Sequence, residues 1–196
     1  MTMRYLLMAL GLGALSGCLL PDPPAPPRLF APVSAMTAPH GTVAGPALRI
    51  RPVRSPIYLR DAMAWQRNDT EFGTYAQRLW TEQPATYVER ALDDALAAAG
   101  VAVVTSDEAP ALTVELRRFE EVLAPSHEAA VAVDVELAAD AHVALRRSFE
   151  SRQPLTGDDP VELARAIGTA LDQVAADAAR AIRAALPSAR PVPRKH

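Results

Sequence analysis

In the stretch Val131-Ala132-Val133-Asp134-Val135-Glu136-Leu137, valine and leucine take every second position while Asp134 and Glu136 fall between them. Successive side chains of a strand point to opposite faces, so this alternation sends one face into a core and the other into water. Val143, Leu145 and Phe149 repeat the pattern with Arg146 facing away, which predicts an antiparallel hairpin connected through Ala138 to His142. The acidic residues of the first strand should pair with Arg146 across the ladder, for about 0.2–1 kcal/mol each. Such pairs describe a solvated sheet face and need no active site.

A sheet with one apolar face requires a cover, and the residues after the hairpin provide one. Asp159 suits a helix cap, Pro160 the first helical position, and Glu162 stands three residues after the cap, from where it is expected to reach back. Leu163, Ile167, Leu171, Val174, Ala178, Ile182 and Leu186 then form one stripe at spacings of three and four. The stripe is expected to close the core against the sheet rather than meet a partner helix, and Pro187 ends it.

Upstream, Leu112, Val114 and Leu116 alternate with Thr113, Glu115 and Arg117, and the phase slips at Arg117-Arg118 before Phe119, as a bulge would make it do. Pro84 fits the start of an earlier helix, with Val88, Leu92, Leu96 and Ala99 at helical spacing and Gly100 as its C-terminal cap. Val101-Ala102-Val103-Val104 reads as a buried strand returning beneath that helix. Ala47 to Val53 alternates as a half-buried strand, and Tyr58-Leu59, Ala62 to Arg67 and Phe72 to Tyr75 read as short extended pieces. The expected class is α+β: a single two-layer domain over residues 47–186, with a largely antiparallel sheet and two helices packed on one face.

The N-terminus carries a different signal. Arg4 precedes an apolar run from Tyr5 to Leu15 that ends in Leu15-Ser16-Gly17-Cys18, the layout of an export signal over residues 1–17. The run is shorter than the about 20 residues needed to span a bilayer. Its ending resembles a bacterial lipobox, which implies cleavage between Gly17 and Cys18 and acylation of Cys18. Several acyl chains, at about 0.8 kcal/mol per buried methylene, would hold the mature chain firmly on a membrane. Leu19 is not acidic, and the lipoprotein sorting rule then favours the outer membrane, facing the periplasm. Residues 18–46 are crowded with proline, as in Pro21-Asp22-Pro23-Pro24-Ala25-Pro26-Pro27, and read as an extended tether rather than a ligand for a proline-binding module. Residues 187–196 read as a disordered tail.

Composition limits the chemistry. After cleavage the chain has 19 basic and 23 acidic side chains, a formal charge of −4, which gives no footprint for nucleic acid. The sole cysteine, Cys18, leaves no disulfide and no thiol nucleophile. The sequence contains no Gly-rich phosphate loop, Gly-x-Ser-x-Gly elbow or His-Glu-x-x-His helix. His40, His127, His142 and His196 read as solvated residues of the tether, two connections and the tail, lacking the spacing of metal ligands. The doublets Asp93-Asp94, Asp107-Glu108, Glu120-Glu121 and Asp158-Asp159 read as solvated surface or caps, because neighbours on a strand or helix diverge. No catalytic, metal or cofactor site is expected, and the chain reads as a non-enzyme.

One stretch carries a family resemblance. The order Pro56-Ile57-Tyr58-Leu59-Arg60, Met63-Ala64-Trp65-Gln66-Arg67, then Tyr75, Arg78 and Trp80-Thr81-Glu82-Gln83-Pro84 before an amphipathic helix resembles the ABC-type transport auxiliary lipoproteins. Leu79 separates Arg78 from Trp80, and Gln83 separates Glu82 from Pro84, where that family's pattern is tighter. The matching positions are Pro56, Tyr58, Leu59, Arg67, Tyr75, Arg78, Trp80, Glu82 and Pro84, with Trp65 beside them. Tyr58, Trp65 and Trp80 are expected to pack the first helix onto the sheet, their polar tips reaching water or a carbonyl. The resemblance implies a non-enzymatic envelope component that docks or anchors a lipid-transport complex, with a mammalian-cell-entry-type substrate-binding protein and an ABC permease and ATPase as partners. It leaves room for a ring or other homo-oligomer. A periplasmic lipid carrier, marked by an apolar cavity of several hundred Å³, and an envelope-assembly factor are the alternatives.

Overall fold

Eight strands and two helices follow in the order β1 (Arg28–Phe30), β2 (Ala47–Ile50), β3 (Ala62–Asn68), β4 (Glu71–Trp80), α1 (Pro84–Ala98), β5 (Ala102–Val103), β6 (Ala111–Val122), β7 (Glu128–Ala139), β8 (His142–Pro154) and α2 (Pro160–Ala185). The structure, a computed structural model, describes residues 25–35, 43, 45–139 and 142–186. The signal segment, Gly17 and Cys18, much of the expected tether and the tail from 187 lie outside the described residues.

β6, β7 and β8 form an antiparallel meander, and β3 and β4 a second antiparallel hairpin. β6 joins the two halves. One of its edges carries β7, while the other is lined in parallel by β2 and then β3. Parallel pairings also attach β1 to β4 and β5 to β2, so the sheet is mixed around its antiparallel ladders. The phase slip near Arg117 is a bulge: Leu116 pairs with Val133 and Arg118 with Ala132, leaving Arg117 over. Register therefore puts Leu112, Val114, Leu116, Phe119 and Glu121 on one face and Thr113, Glu115, Arg118 and Glu120 on the other.

Both helices cover the first of these faces. α1 begins with Pro84 at its first turn and ends in a Schellman arrangement: the Gly100 N–H donates to Ala97 and the Val101 N–H to Leu96. Gly100 has φ +74°, the left-handed conformation that glycine adopts without cost. α2 is capped by Asp159, which accepts from the Val161 N–H at 2.9 Å. Its stripe from Leu163 to Leu186 is buried throughout, against β7, β8 and α1. On the opposite face Arg146 reaches Glu136 at 2.6 Å and Ser148 reaches Asp134 at 2.6 Å, the cross-strand pairing that the alternation requires.

Several expectations are corrected. β1 lies inside the segment read as a tether, and Phe30 is buried. The chain beyond it straps α2: Ser34 Oγ and the Ala35 N–H donate to the Asp172 carboxylate at 2.6 and 2.7 Å. The folded part thus starts before residue 47. The strand expected at 101–104 shrinks to Ala102–Val103 at an edge, with Val103 exposed. β4 runs on to Trp80, well past Tyr75. The β7–β8 connection is tighter than Ala138 to His142, since β7 continues through Ala139 and β8 starts at His142. Glu162 does not reach back to the cap residue; it accepts from the N–H and Oγ of Thr156, at 2.8 Å each.

Candidate functional site

The residues singled out by the sequence pattern converge on two adjacent carboxylates of β6. Glu120 and Glu121 are each 2% exposed, which corrects their reading as solvated surface. Adjacent positions of a strand face opposite ways, so each is met by a different motif tyrosine. Tyr58 donates to Glu120 Oε2 at 3.0 Å, and Tyr75 to Glu121 Oε2 at 2.7 Å.

The Tyr58 side is built by an excursion of the chain. After β2, Arg54 bridges to Glu115, and residues 55–61 then leave the edge of β6 before β3 returns to it. The Leu59 N–H donates to the Pro56 carbonyl, a tight turn that buries Leu59 and sends Tyr58 onto the sheet face away from the helices. There the Tyr58 ring lies 5.5 Å from Phe72 of β4. Burial, reinforced by the Glu120 charge, raises the Tyr58 phenol far above its ordinary range, so it stays a donor. Burial likewise raises the Glu120 carboxyl, against the lowering effect of the Tyr58 hydrogen bond and of Arg118. Glu120 Oε1 and the nearby-strand Gln66 Oε1 are buried without hydrogen-bond partners among the described residues.

The Tyr75 side depends on an irregularity in β4. Ala62 pairs with Leu79 and Ala64 with Thr74, so Tyr75 to Arg78 oppose Met63 alone. This bulge turns Tyr75 and Arg78 toward the same carboxylate. The Arg78 guanidinium lies 4.1 Å from the centre of the Tyr75 ring and 3.9 Å from Glu121 Oε2, and donates to the Asp158 carbonyl at 3.4 Å. His127 Nε2 lies 2.6 Å from Glu121 Oε1, so this histidine is a partner of a buried acid rather than a free loop residue. Burial and the Glu121 hydrogen bond raise the Tyr75 phenol. Donor atoms of Glu121, His127 and Asp158 come within 4.8 Å of one another, a spacing a cation could use. Arg78 already supplies positive charge at that point, and Glu121 has both oxygens engaged, so the donor set is that of a structural ion-pair network.

Of the other motif positions, Trp80 is 4% exposed and meets Phe119 and Tyr87 edge-on at 5.3 and 6.3 Å, packing α1 onto the sheet as expected. Its Nε1 finds no hydrogen-bond partner among the described residues, contrary to the expected polar outlet. Pro84 is buried at the start of α1. Glu82 pairs with Arg90 of α1, and its N–H donates to the Tyr87 hydroxyl at 3.1 Å. Tyr58 and Trp65 do not join the helix contact. Trp65 lies over Gly73 of the neighbouring strand, half-buried, with Arg67 above its ring at 5.6 Å and Arg67 paired to Glu71 at 3.1 Å. Glu120, Glu121 and His127 were missed by the sequence reading. Their signal was a charged doublet between Phe119 and Val122, inside an apolar strand instead of at its end.

Residues 29–179 match the family described as ABC-type transport auxiliary lipoprotein component. The chain belongs to that family. As an auxiliary lipoprotein of ABC-type transport, it falls in a class of envelope proteins rather than an enzyme family, and no helix among its described residues is long and apolar enough to cross a membrane. Protein XCC0632 from Xanthomonas campestris has a similar solved structure, with TM-score 0.69 and 20% identity over 81% of this chain and 96% of that one. A second solved structure, of an uncharacterized protein, gives TM-score 0.66 at 16% identity over 81% and 99% of the two chains. A minor lipoprotein from Acinetobacter baumannii is more distant, with TM-score 0.46 and 16% identity over 73% and 97%. The first two likenesses, at 20% and 16% identity, show the fold alone. No curated protein matches the chain in sequence.

Proposed function

We propose that this auxiliary lipoprotein is anchored through acylated Cys18 in the outer membrane, facing the periplasm, and docks the periplasmic part of a mammalian-cell-entry-type lipid transport system there. The observation that carries this reading is the family match across most of the folded chain, joined to the Leu15-Ser16-Gly17-Cys18 signal that precedes it. Acyl chains fix the protein to one membrane while its domain meets a transporter component, which raises the effective concentration of the partners.

The interior supports docking over lipid carriage. A carrier needs an apolar chamber between helices and sheet. Here Leu112, Leu116, Phe119, Leu137, Ile167 and Ile182 fill that layer at full burial. A concavity of about 610 Å³ lies on the other sheet face, and Arg51, Arg54, Glu115, Asp134, Glu136 and Arg146 line it. Charged walls suit a polar contact rather than acyl chains.

Crosslinking the intact lipoprotein in membranes, followed by mass spectrometry of partners and lipid, tests the reading. Recovery of a mammalian-cell-entry protein with its permease or ATPase, without stoichiometric lipid, is the expected result. Stoichiometric lipid that survives detergent washing, with no transporter component, would overturn it in favour of a carrier.

A further inference from the structure

One motif tyrosine, Tyr58, holds up a small apolar patch at one end of the sheet. Ile57, at the tip of the turn that follows Pro56, is 78% exposed, and Phe72 on β4 is 44% exposed. Tyr58 links them, its ring 5.5 Å from Phe72 and its hydroxyl hydrogen-bonded to buried Glu120. These large apolar side chains are therefore held outward on a fixed platform. Arg54 and Arg60 flank the turn without ion-pair partners among the described residues, while Asp61 and Asp69 offset them, so the patch has no strong charge preference.

The direction of β1 says what the patch faces. β1 is parallel to β4, with Arg28 beside Arg78 and Phe30 beside Trp80. The chain preceding Arg28 is thus aimed along β4 toward Phe72. Arg28 is the tenth residue after Cys18, and ten fully extended steps span at most about 35 Å. From Arg78 back to Phe72, β4 takes up about 20 Å of that distance. An acylated Cys18 consequently lies no more than about 15 Å beyond the Phe72 end along this line. The tether is too short to let that end stand far from the bilayer.

We infer that Ile57, Phe72 and Tyr58 form a contact surface for the phospholipid bilayer that holds the protein's own acyl chains. The inference rests on Cys18 being the lipid anchor. Exposed apolar side chains on a fixed platform suit burial at the headgroup–acyl boundary, and the tether makes a weak contact sufficient by keeping the patch at high local concentration. The contact fixes the orientation of the domain on the membrane. It turns the opposite end of the sheet, where Val143 of β8 pairs with Ala138, toward the periplasm.

Because Cys18 is the sole cysteine, Ile57→Cys gives the acylated protein a single free thiol. Val143→Cys, 52% exposed at the far end, is the control, and Phe72→Cys a second probe of the patch. Each acylated variant is labelled with an environment-sensitive fluorophore in phosphatidylethanolamine–phosphatidylglycerol vesicles, some carrying a spin-labelled quencher in the acyl region. A blue shift and several-fold gain in emission at positions 57 and 72, with quenching absent at 143, is the expected result. Equal, water-like emission at all three positions on an acylated chain overturns the contact and makes the patch a protein surface. Mass spectrometry reads the anchor separately: a chain recovered without acyl groups overturns both the anchor and the contact that depends on it.

Discussion

Tyr75 donates its phenolic proton to Glu121 Oε2 at 2.7 Å because a bulge in β4 sets four residues, Tyr75 to Arg78, against Met63 alone. In a regular ladder Tyr75 and Arg78 would face opposite ways. The bulge delivers both to one buried carboxylate, whose other oxygen lies 2.6 Å from His127 Nε2.

Removing one donor from that carboxylate should be costly. Tyr75→Phe is expected to lower stability by about 1–3 kcal/mol, since a buried acceptor loses its partner and the phenyl ring cannot replace it. Urea denaturation should show a lower midpoint at unchanged slope. In the double variant with Glu121→Gln the two losses should not add, because both act on one contact. Additive losses would mean that the hydrogen bond contributes nothing by itself.

Glu120 and Glu162 act on stability with opposite sign. Burial holds the Glu120 carboxyl above the usual range, so between its unfolded and folded pKa the native state binds more protons than the unfolded chain. Its contribution is full below the unfolded pKa and is lost as pH rises through the folded one. Glu162, held below the usual range by the Thr156 N–H and hydroxyl, contributes above its unfolded pKa and loses that contribution as pH falls through the folded one. Glu120→Gln, which keeps an acceptor for Tyr58, should flatten the decline in stability from mildly acidic to neutral pH. Glu162→Gln should lower stability at neutral pH and converge with the parent in acid. Urea midpoints measured across the pH range check both.

The two tryptophans separate core from surface. Trp80→Ala should cost about 3–5 kcal/mol, the range for emptying a large buried aromatic site, because Phe119 and Tyr87 lose their edge contacts together. Trp65→Ala uncovers Gly73 without opening the core, and its cost should stay near 1 kcal/mol or below. Equal losses in thermal or urea unfolding would contradict the placement of Trp65 outside the helix contact.

The parts of this fold legible in the sequence are those whose information is local. α2 announces itself by Asp159, Pro160 and an unbroken stripe from Leu163 to Leu186. The β6–β8 meander is legible because its alternation survives even the bulge at Arg117. β1 is not, since its three residues sit in a proline-rich run and owe their conformation to a partner about fifty positions away, Arg28 beside Arg78. The roles of Glu120 and Glu121 were hidden for the same reason. A carboxylate doublet reads as solvent-facing until distant Tyr58, Tyr75 and Arg78 are known to converge on it.

The strap over α2 can be released from either side. A Cβ on Gly168 would come within 2.1 Å of the Val33 carbonyl oxygen, which is backbone and cannot rotate aside. Gly168→Ala gains about 1 kcal/mol of helix propensity, yet overpacking of this kind costs about 1–3 kcal/mol, so the net effect should be neutral to destabilising with the strap displaced. Asp172→Ala removes both acceptors of Ser34 and Ala35 without touching the helix backbone, and should free the same segment with less steric cost. Hydrogen exchange distinguishes this from general loosening: amides of 30–35 should lose protection in both variants while those of β6 and β7 keep theirs. Unchanged protection of residues 30–35 in both variants would show that β1 pairing alone, without the Gly168 and Asp172 contacts, holds the segment.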